Sequence, residues 1–583
     1  MINEFIRMID ELYDIINEPI DKMFKYTAIN NYKKKLGITD GKFSDIFIKI
    51  LNNKKSNGVV YTPQPIASYM VSNLIKVEDV ISNPYLKVLD PSCGCGNILI
   101  PLIYHLESIF KSNIDEINKK NNLDIKKDGI LKHILTYNVH GCDIDETSIK
   151  ILIIDVFTVF GYIHIENYIV SDFLLDEKDT KYDFIVANPP YVGHKNIERE
   201  YFLALKKKYG NLYKDKSDLS FCFFQKGINV INKHGKITFI TSRYFMESPS
   251  GEDLRKVLKE YCSVFKIVDF YGIRPFKNIG IDPVIIFLIN SSDAVEEIEV
   301  FKPNINVKNK NSEFYNSLFL KEGTNFNYFK INKNLLNNKG WVLRNKKERE
   351  IIRKIEEKSL TNLSNICNSY QGIITGLDKA FVVTQDIIDE YNLEKDIIMP
   401  WVKSTSIQKS NVLDTGKYLI YSDKIEDEKE YPNCIKYISQ FKEKLMLRRE
   451  CRLGRRKWYQ LQWGRKEFIF KNKKIIFPYK SQNNRFSLDK GKCFSADIYA
   501  LALKEDIPIT YDFLLYLLNS KVYEFYFKCF TKKLGENMYE YYPNNVSKLC
   551  IPICNIIDYS SEDRLNEFFG FSTEEIEIIN SYI

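Results

Sequence analysis

The 583-residue chain has no apolar run approaching the length of a membrane-spanning helix, so no bilayer-crossing segment is expected. Its first residues, MINEFIRMIDELYD, carry Glu4, Asp10 and Glu11 where a leader peptide would hold an apolar core. Twelve cysteines are scattered, and the close pairs Cys93/Cys95 and Cys550/Cys554 lack the doubled spacing of a zinc site. Reduced thiols, a cytoplasmic location and no metal are therefore expected. Internal repeats are absent. Excess charge is scarce as well, with 84 Lys and Arg against 76 Asp and Glu leaving a net charge of +8.

What charge there is gathers in one place. Between Leu445 and Lys480 stand twelve Lys or Arg against two Glu, so the rest of the chain is close to neutral. A local basic patch on a neutral body suggests a polyanionic partner. Apolar residues make up 44% and aromatics 14%, ample for more than one packed core at this length.

Residues 1–55 show helical apolar spacing (Phe5, Met8, Ile9, Leu12, Ile15, Ile16) and are expected to form a helical cap. From 56 to 302, short apolar strands alternate with amphipathic helices, the mark of a doubly wound sheet. The strands read KVLD (87–90), VHGCDI (139–144), YIV (168–170), DFIVA (183–187), KITFIT (236–241), FKIVDF (265–270) and PVIIFLI (283–289). YGIRPFKNIGID leaves no room for a helix between the last two, which predicts an antiparallel pair. A polar stretch makes 303–340 a candidate linker. The remainder, 341–583, reads as a second, aromatic-rich domain without βα alternation.

The first strand runs into DPSCGCGN (Asp90, Pro91, Ser92, then Gly94, Gly96 and Asn97) and a helix. Glycines there let backbone approach a ligand, and the helix start adds partial positive charge. Alone this is weak, because many nucleotide-binding folds share it. Three further features sharpen it. GCDID ends the second strand, where Asp143, followed by Ile144, could accept both hydroxyls of a ribose. SDFL ends the third, where Asp172 could accept from an adenine amine and Phe173 could stack on its ring. GVVYTP, with Tyr61 and Thr62, could close over a methionine moiety. Taken singly, an Asp at a strand end is more often a helix cap or a solvated loop charge, but this order and spacing disfavour that reading.

The fourth strand delivers NPPY, Asn188 to Tyr191. A planar amine conjugated to a ring is a poor nucleophile because its lone pair is delocalised. If the Asn188 side-chain oxygen and the Pro189 carbonyl each accept one amine hydrogen, the lone pair turns toward an electrophilic methyl group. Tyr191 offers a face for the target ring, and Phe276 in RPFKNIG is the candidate second wall, with a plain core residue as the alternative.

YTP, DPSCGCGN, the Asp143 strand, SDF and NPPY, in that order, resemble the gamma-class, Taq-type N6-adenine DNA methyltransferases, in which a target-recognition domain follows. The resemblance covers 58–290 through specific motifs and the C-terminal half more loosely. It implies a seven-stranded Rossmann-like domain that depends on S-adenosylmethionine and yields S-adenosylhomocysteine, plus a mixed α+β domain that binds DNA. By resemblance, Tyr61, Thr62, the Asp90–Asn97 loop, Asp143, Asp172, Phe173 and Asn188 bind cofactor, and Asn188, Pro189 and Tyr191 are catalytic. Cys93 and Cys95 are departures that fill small-residue positions, and Asp143 stands where Glu is commoner.

In the basic stretch, Arg448, Arg449, Arg452, Arg455, Arg456 and Lys457 interleave with Trp458, Tyr459, Gln460, Gln462 and Trp463. Cations suit phosphates, Arg and Gln can read base edges, and aromatics can fill the space left by a displaced base. A solvated helix face over a buried Trp pair is the plain alternative. SYQGIITGLDKAF, with two glycines and Lys379, is a second candidate DNA contact. The expected partner is double-stranded DNA, bound by a monomer. No Pro is followed by Cys, which disfavours cytosine carbon-5 chemistry, and none by Asp, which removes a common metal-nuclease signature. Amine methylation of RNA or of a protein amide remains the rival reading.

Overall fold

The computed structural model describes residues 2–38, 41–53, 61–177, 180–193, 197–214, 216–276, 280–304, 315–318, 326–534, 537–552 and 561–583. The chain divides into two compact units, Met1–Leu343 and Arg344–Ile583.

The first unit is built on one sheet: β1 (Val88–Asp90), β2 (Val139–Asp143), β3 (Tyr168–Val170), β4 (Tyr182–Ala187), β5 (Ile231–Ser242), β6 (Ser263–Asp269), β7 (Pro283–Ile289), β8 (Glu297–Pro303) and β9 (Phe326–Asn332). Their order is β3-β2-β1-β4-β5-β7-β6-β8-β9. β1 to β5 are parallel, and β7 runs antiparallel between β5 and β6, as the short β6–β7 connection requires. The sheet has nine strands rather than the expected seven. β8 pairs parallel with β6, and β9 pairs antiparallel with β8 across Glu297–Pro303 and Phe326–Asn332. β9 thus falls inside the stretch expected as a linker. Its alternation was obscured because charged and amide residues sit on an edge strand with one exposed face.

Apolar layers cover both faces of the sheet. The long apolar helix Glu146–Phe160 starts at the Asp145 cap, which accepts from the Ser148 amide at 3.2 Å, and stops at Gly161. It supports the N-terminal helix Ile2–Asn17, whose Phe5, Ile9, Leu12 and Ile16 are buried at the predicted spacing while Met8 and Ile15 are half-buried. Buried Asp155 accepts from the Phe43 and Ser44 amides at 2.9 and 3.0 Å, fastening the helix Phe43–Asn53 to the same support.

In the second unit, β10 (Cys367–Gln371), β11 (Val382–Thr384), β12 (Ile398–Val402), β13 (Lys417–Ile420), β14 (Lys474–Pro478), β15 (Ser487–Asp489), β16 (Cys493–Phe494) and β17 (Ile498–Leu503) form two four-stranded sheets. One runs β10-β17-β14-β15 and the other β11-β13-β12-β16, accompanied by helices Tyr511–Asn519 and Lys521–Phe530. Among the described residues, no helix is long and apolar enough to cross a membrane.

Candidate functional site

Strand order reverses at β1, with β2 and β3 on one side and β4 on the other, and the loops leaving the carboxyl ends of such strands surround a crevice. A cavity of about 320 Å³ lies there, within the size range of small-molecule sites. Tyr61, Thr62, Asp90, Pro91, Ser92, Gly94, Asn97, Asp143, Ile144, Asp172, Phe173 and Asn188 all line it. Gly96 lines an adjoining cavity of about 330 Å³ instead, which shares Tyr61, Thr62 and Asn97 with the first. Gly58–Val60 of the GVVYTP string lie outside the described residues.

Backbone geometry explains the loop. Gly94 and Gly96 adopt φ of +48° and +87°, a region that side chains strain. A Cβ on Gly96 would stand 2.3 Å from Leu152 Cδ1, so the helix Glu146–Phe160 packs directly against loop backbone. A Cβ on Gly94 would meet only the Tyr61 ring, at 3.9 Å. Cys93 Sγ lies 3.0 Å from where a Cβ on Gly141 would be, so the thiol fills a small, shaped space. Burial pushes the Cys93 and Cys95 thiols well up, which keeps them protonated and unreactive.

Asp143 Oδ2 accepts from the Gly94 amide at 2.8 Å, and Oδ1 accepts from the Asp145 amide at 2.9 Å. The carboxylate therefore ties the glycine loop to β2. Burial raises its pKa, opposed by the amides of Asp145, Gly94 and Ile144. Asp90 is buried and accepts from the Ser92 amide at 3.1 Å, its carboxyl also pushed up by burial. Ser92 Oγ donates to the Asn188 carbonyl at 3.3 Å, joining the glycine loop to NPPY. Asp172 Oδ1 accepts from the Leu174 amide at 2.9 Å.

Two aromatic residues of this cavity were not anticipated. Phe223, on the helix Ser220–Val230, stacks on Phe173 with centroids 5.7 Å apart. Tyr201, on the helix Arg199–Tyr209, brings its hydroxyl to Asp172. Their strings, SFCFF and EYFLALKKKY, carry aromatics at ordinary core spacing, so only packing reveals them.

Of the NPPY loop, Asn188 and Pro190 line the cavity, whereas Pro189 and Tyr191 are not among its lining residues. Tyr191 is buried, directs its hydroxyl at the Ile240 carbonyl (3.4 Å) and packs on Phe276 with centroids 5.9 Å apart. Of the two readings of Phe276, second wall or core residue, the structure shows the core position: it is 5% exposed, belongs to the apolar layer and packs on Tyr191. The structure thus brings the two proposed walls together and in contact.

In the second unit, two expected DNA contacts are corrected. Tyr459 is 0% exposed and part of the core. Arg448 spends its guanidinium on the carbonyls of Leu445, Thr375, Trp458 and Gln460, at 3.0, 3.1, 2.8 and 2.9 Å, and so staples the stretch internally. Arg456 pairs with Asp423 at 2.9 Å, and Gln462 donates to Glu450 at 3.0 Å. Gln460 accepts from the Lys457 amide at 2.9 Å, while Trp458 is half-buried beneath Lys442. Arg449, Arg452, Arg455, Lys457, Trp463 and Lys379 are exposed. The glycines of QGIITG are explained by close packing: a Cβ on Gly372 would stand 2.1 Å from the Ser495 carbonyl oxygen.

Comparison with known proteins adds the family context. Residues 102–276 match the Eco57I restriction-modification methylase model, and residues 400–553 match the TaqI-like C-terminal specificity domain. The first match spans Asp143, Asp172 and the NPPY loop, and the second spans the basic stretch. The type II methyltransferase M.BstVI of Geobacillus stearothermophilus is 22% identical over 90% of this chain and 98% of its own. M.HindII of Haemophilus influenzae is 26% identical over 81% of this chain and 84% of its own. These matches support a DNA methyltransferase. The restriction-modification enzyme MmeI, solved in complex with DNA, is similar to this chain in fold, with a TM-score of 0.55 at 16% identity, covering 83% of this chain and 66% of that one. No group of three metal-ligating side chains occurs among the described residues.

Proposed function

We propose that the chain is a site-specific, S-adenosylmethionine-dependent methyltransferase acting on the N6 amine of an adenine flipped out of duplex DNA. In this reading it is an orphan, working as a cytoplasmic monomer without a nuclease of its own. The observation that carries it is the cavity: Asp143, Asp172 and Asn188 converge on one space with Phe173 and Gly94. The cavity's chemistry fits S-adenosylmethionine, with a carboxylate at the β2 end for ribose hydroxyls, Phe173 for a purine and glycine backbone where a side chain would intrude. Strings such as YKDKSDLSFCFF, RYFMES and RKWYQLQWGR add a resemblance to the orphan adenine methyltransferase CamA.

When bound, the cofactor supplies a sulfonium-activated methyl group. Asn188 and the Pro189 carbonyl accept the two amine hydrogens and direct the nitrogen lone pair, with no covalent intermediate on the protein. Ser92 holds the Asn188 backbone from the glycine loop. Tyr191 stacks on the flipped base, which requires its contact with Phe276 to open. Exposed arginines of the second unit hold the phosphates.

The test is transfer of label from S-adenosylmethionine to low-methylation genomic DNA, followed by nucleoside analysis. Labelled N6-methyldeoxyadenosine is expected. Label in RNA or protein alone would overturn the substrate, and no label anywhere would leave a DNA-binding protein with an inactive methyltransferase fold.

A further inference from the structure

A third cavity, of about 510 Å³, lies wholly within the C-terminal unit. It forms where the two candidate DNA segments meet: Trp463 donates its amide to the Ile374 carbonyl at 2.9 Å, an antiparallel bridge between QGIITG and the basic stretch. Its lining includes Gln371, Arg456, Trp463, Arg465 and Lys466 and, among the described residues, no carboxylate.

Arg465 is the unusual member. Its φ of +67° is strained for a residue with a side chain, and strain of this kind gathers at functional positions. Its Nε donates to the Gly372 carbonyl at 3.1 Å and one Nη2 hydrogen goes to Gln371 Oε1 at 2.9 Å. Those bonds fix the plane of the guanidinium and leave Nη1 uncommitted. Trp463 presents a ring 42% exposed, with the Arg456 guanidinium 5.9 Å from its centroid. Arg456 is already answered by Asp423, so Arg465 and Lys466 are the cations the cavity offers a ligand, with Ser369 and Tyr370 also in its lining.

We propose that this cavity reads a guanine of the recognised DNA sequence, with Arg465 as the specificity-determining residue and Gln371 as the residue that positions it. The proposal rests on the functional reading above. Guanine alone among the bases presents two acceptors, O6 and N7, on its major-groove edge, matching a fixed guanidinium fork. Adenine would set its N6 donor against a lining of cations. A phosphate would also satisfy the charge, but it needs neither the locked plane nor the flat indole beside it.

The experiment uses the full chain, S-adenosylmethionine and a pool of duplexes randomised around a target adenine, with methylated molecules sequenced. The wild type is expected to require a G·C pair at one position. Arg465→Ala should lower discrimination at that pair alone, by roughly 5- to 150-fold. Arg465→Lys, which keeps charge but loses the fork, should not restore it. Gln371→Ala should produce a smaller loss at the same pair, and with Arg465→Lys it decides the matter if Arg465→Ala does not fold. Uniform weakening across all sequences with a shallower salt dependence would make Arg465 a phosphate contact and overturn the proposal. So would unchanged preference, or a wild-type site without guanine. Failure of the wild type to methylate any DNA would instead bring down the functional reading, and this inference with it.

Discussion

Replacing Gly96 by Ala should destabilise the first unit through two separable effects. The residue sits at φ +87°, and forcing a side chain into left-handed backbone costs about 1–2 kcal/mol. The new Cβ would lie 2.3 Å from Leu152 Cδ1, and Leu152 is 0% exposed, so it has no solvent to move into. Overpacking of that kind costs about 1–3 kcal/mol. Together they come to roughly 2–5 kcal/mol, a large share of the ~5–15 kcal/mol that holds most domains folded. Leu152→Ala alone should cost about 2–5 kcal/mol by opening a hole. Combined with Gly96→Ala, the hole accepts the methyl group, so the double variant should be more stable than the sum predicts by about 1–3 kcal/mol. Urea unfolding of all four proteins, with hydrogen exchange along the helix Leu99–Asn121, measures that coupling. Additivity within about 0.5 kcal/mol would refute the claim that steric contact with Leu152 fixes glycine at this position. Gly94→Ala is the control: its Cβ meets only Tyr61, so cofactor affinity should fall while stability loses only the backbone part, about 1–2 kcal/mol.

Asn188→Ala should abolish methyl transfer with little change in DNA affinity in a binding assay; lost affinity with turnover intact would refute its assignment. Burial pushes the Asp155 carboxyl up to about 6, so the folded chain holds a proton there that the unfolded chain releases near 4. The stability it contributes is complete at low pH and lost as pH rises through about 6. Relative to Asp155→Asn, the wild type should lose on the order of 3 kcal/mol between about pH 4 and pH 7, and a flat difference across that range would contradict this. Neutralising exposed Arg455 should lower the slope of log affinity against log salt by about 0.9. Arg456→Gln, which breaks the pair with Asp423, should act mainly on thermal stability, and equal slopes for the two variants would remove the distinction drawn between them.

Much of the first unit's fold was legible in the sequence because its signals are local. Strand-end carboxylates, a glycine turn and NPPY are each contiguous, and their order along the chain follows the order of loops around a parallel sheet. Apolar runs therefore located β1 to β7, and the short β6–β7 connection gave the antiparallel pairing. β9 escaped because an edge strand with a polar face lacks a clean period, and β8 joins the sheet as an interior strand by pairing between β6 and β9. Tyr201 and Phe223 escaped because residues from distant helices carry no spacing rule when they meet in a cavity.

In the C-terminal unit the division is sharper. Sequence alone determined that a basic, aromatic-rich stretch exists near 445–480, since charge and composition do not depend on folding. Only the tertiary structure decided which of its arginines are spent: Arg448 on four carbonyls and Arg456 on Asp423, with Arg455 left to solvent. A guanidinium binds whatever acceptor the fold brings within reach, and residues as far apart as Gln371 and Arg465 become neighbours only when strands pair.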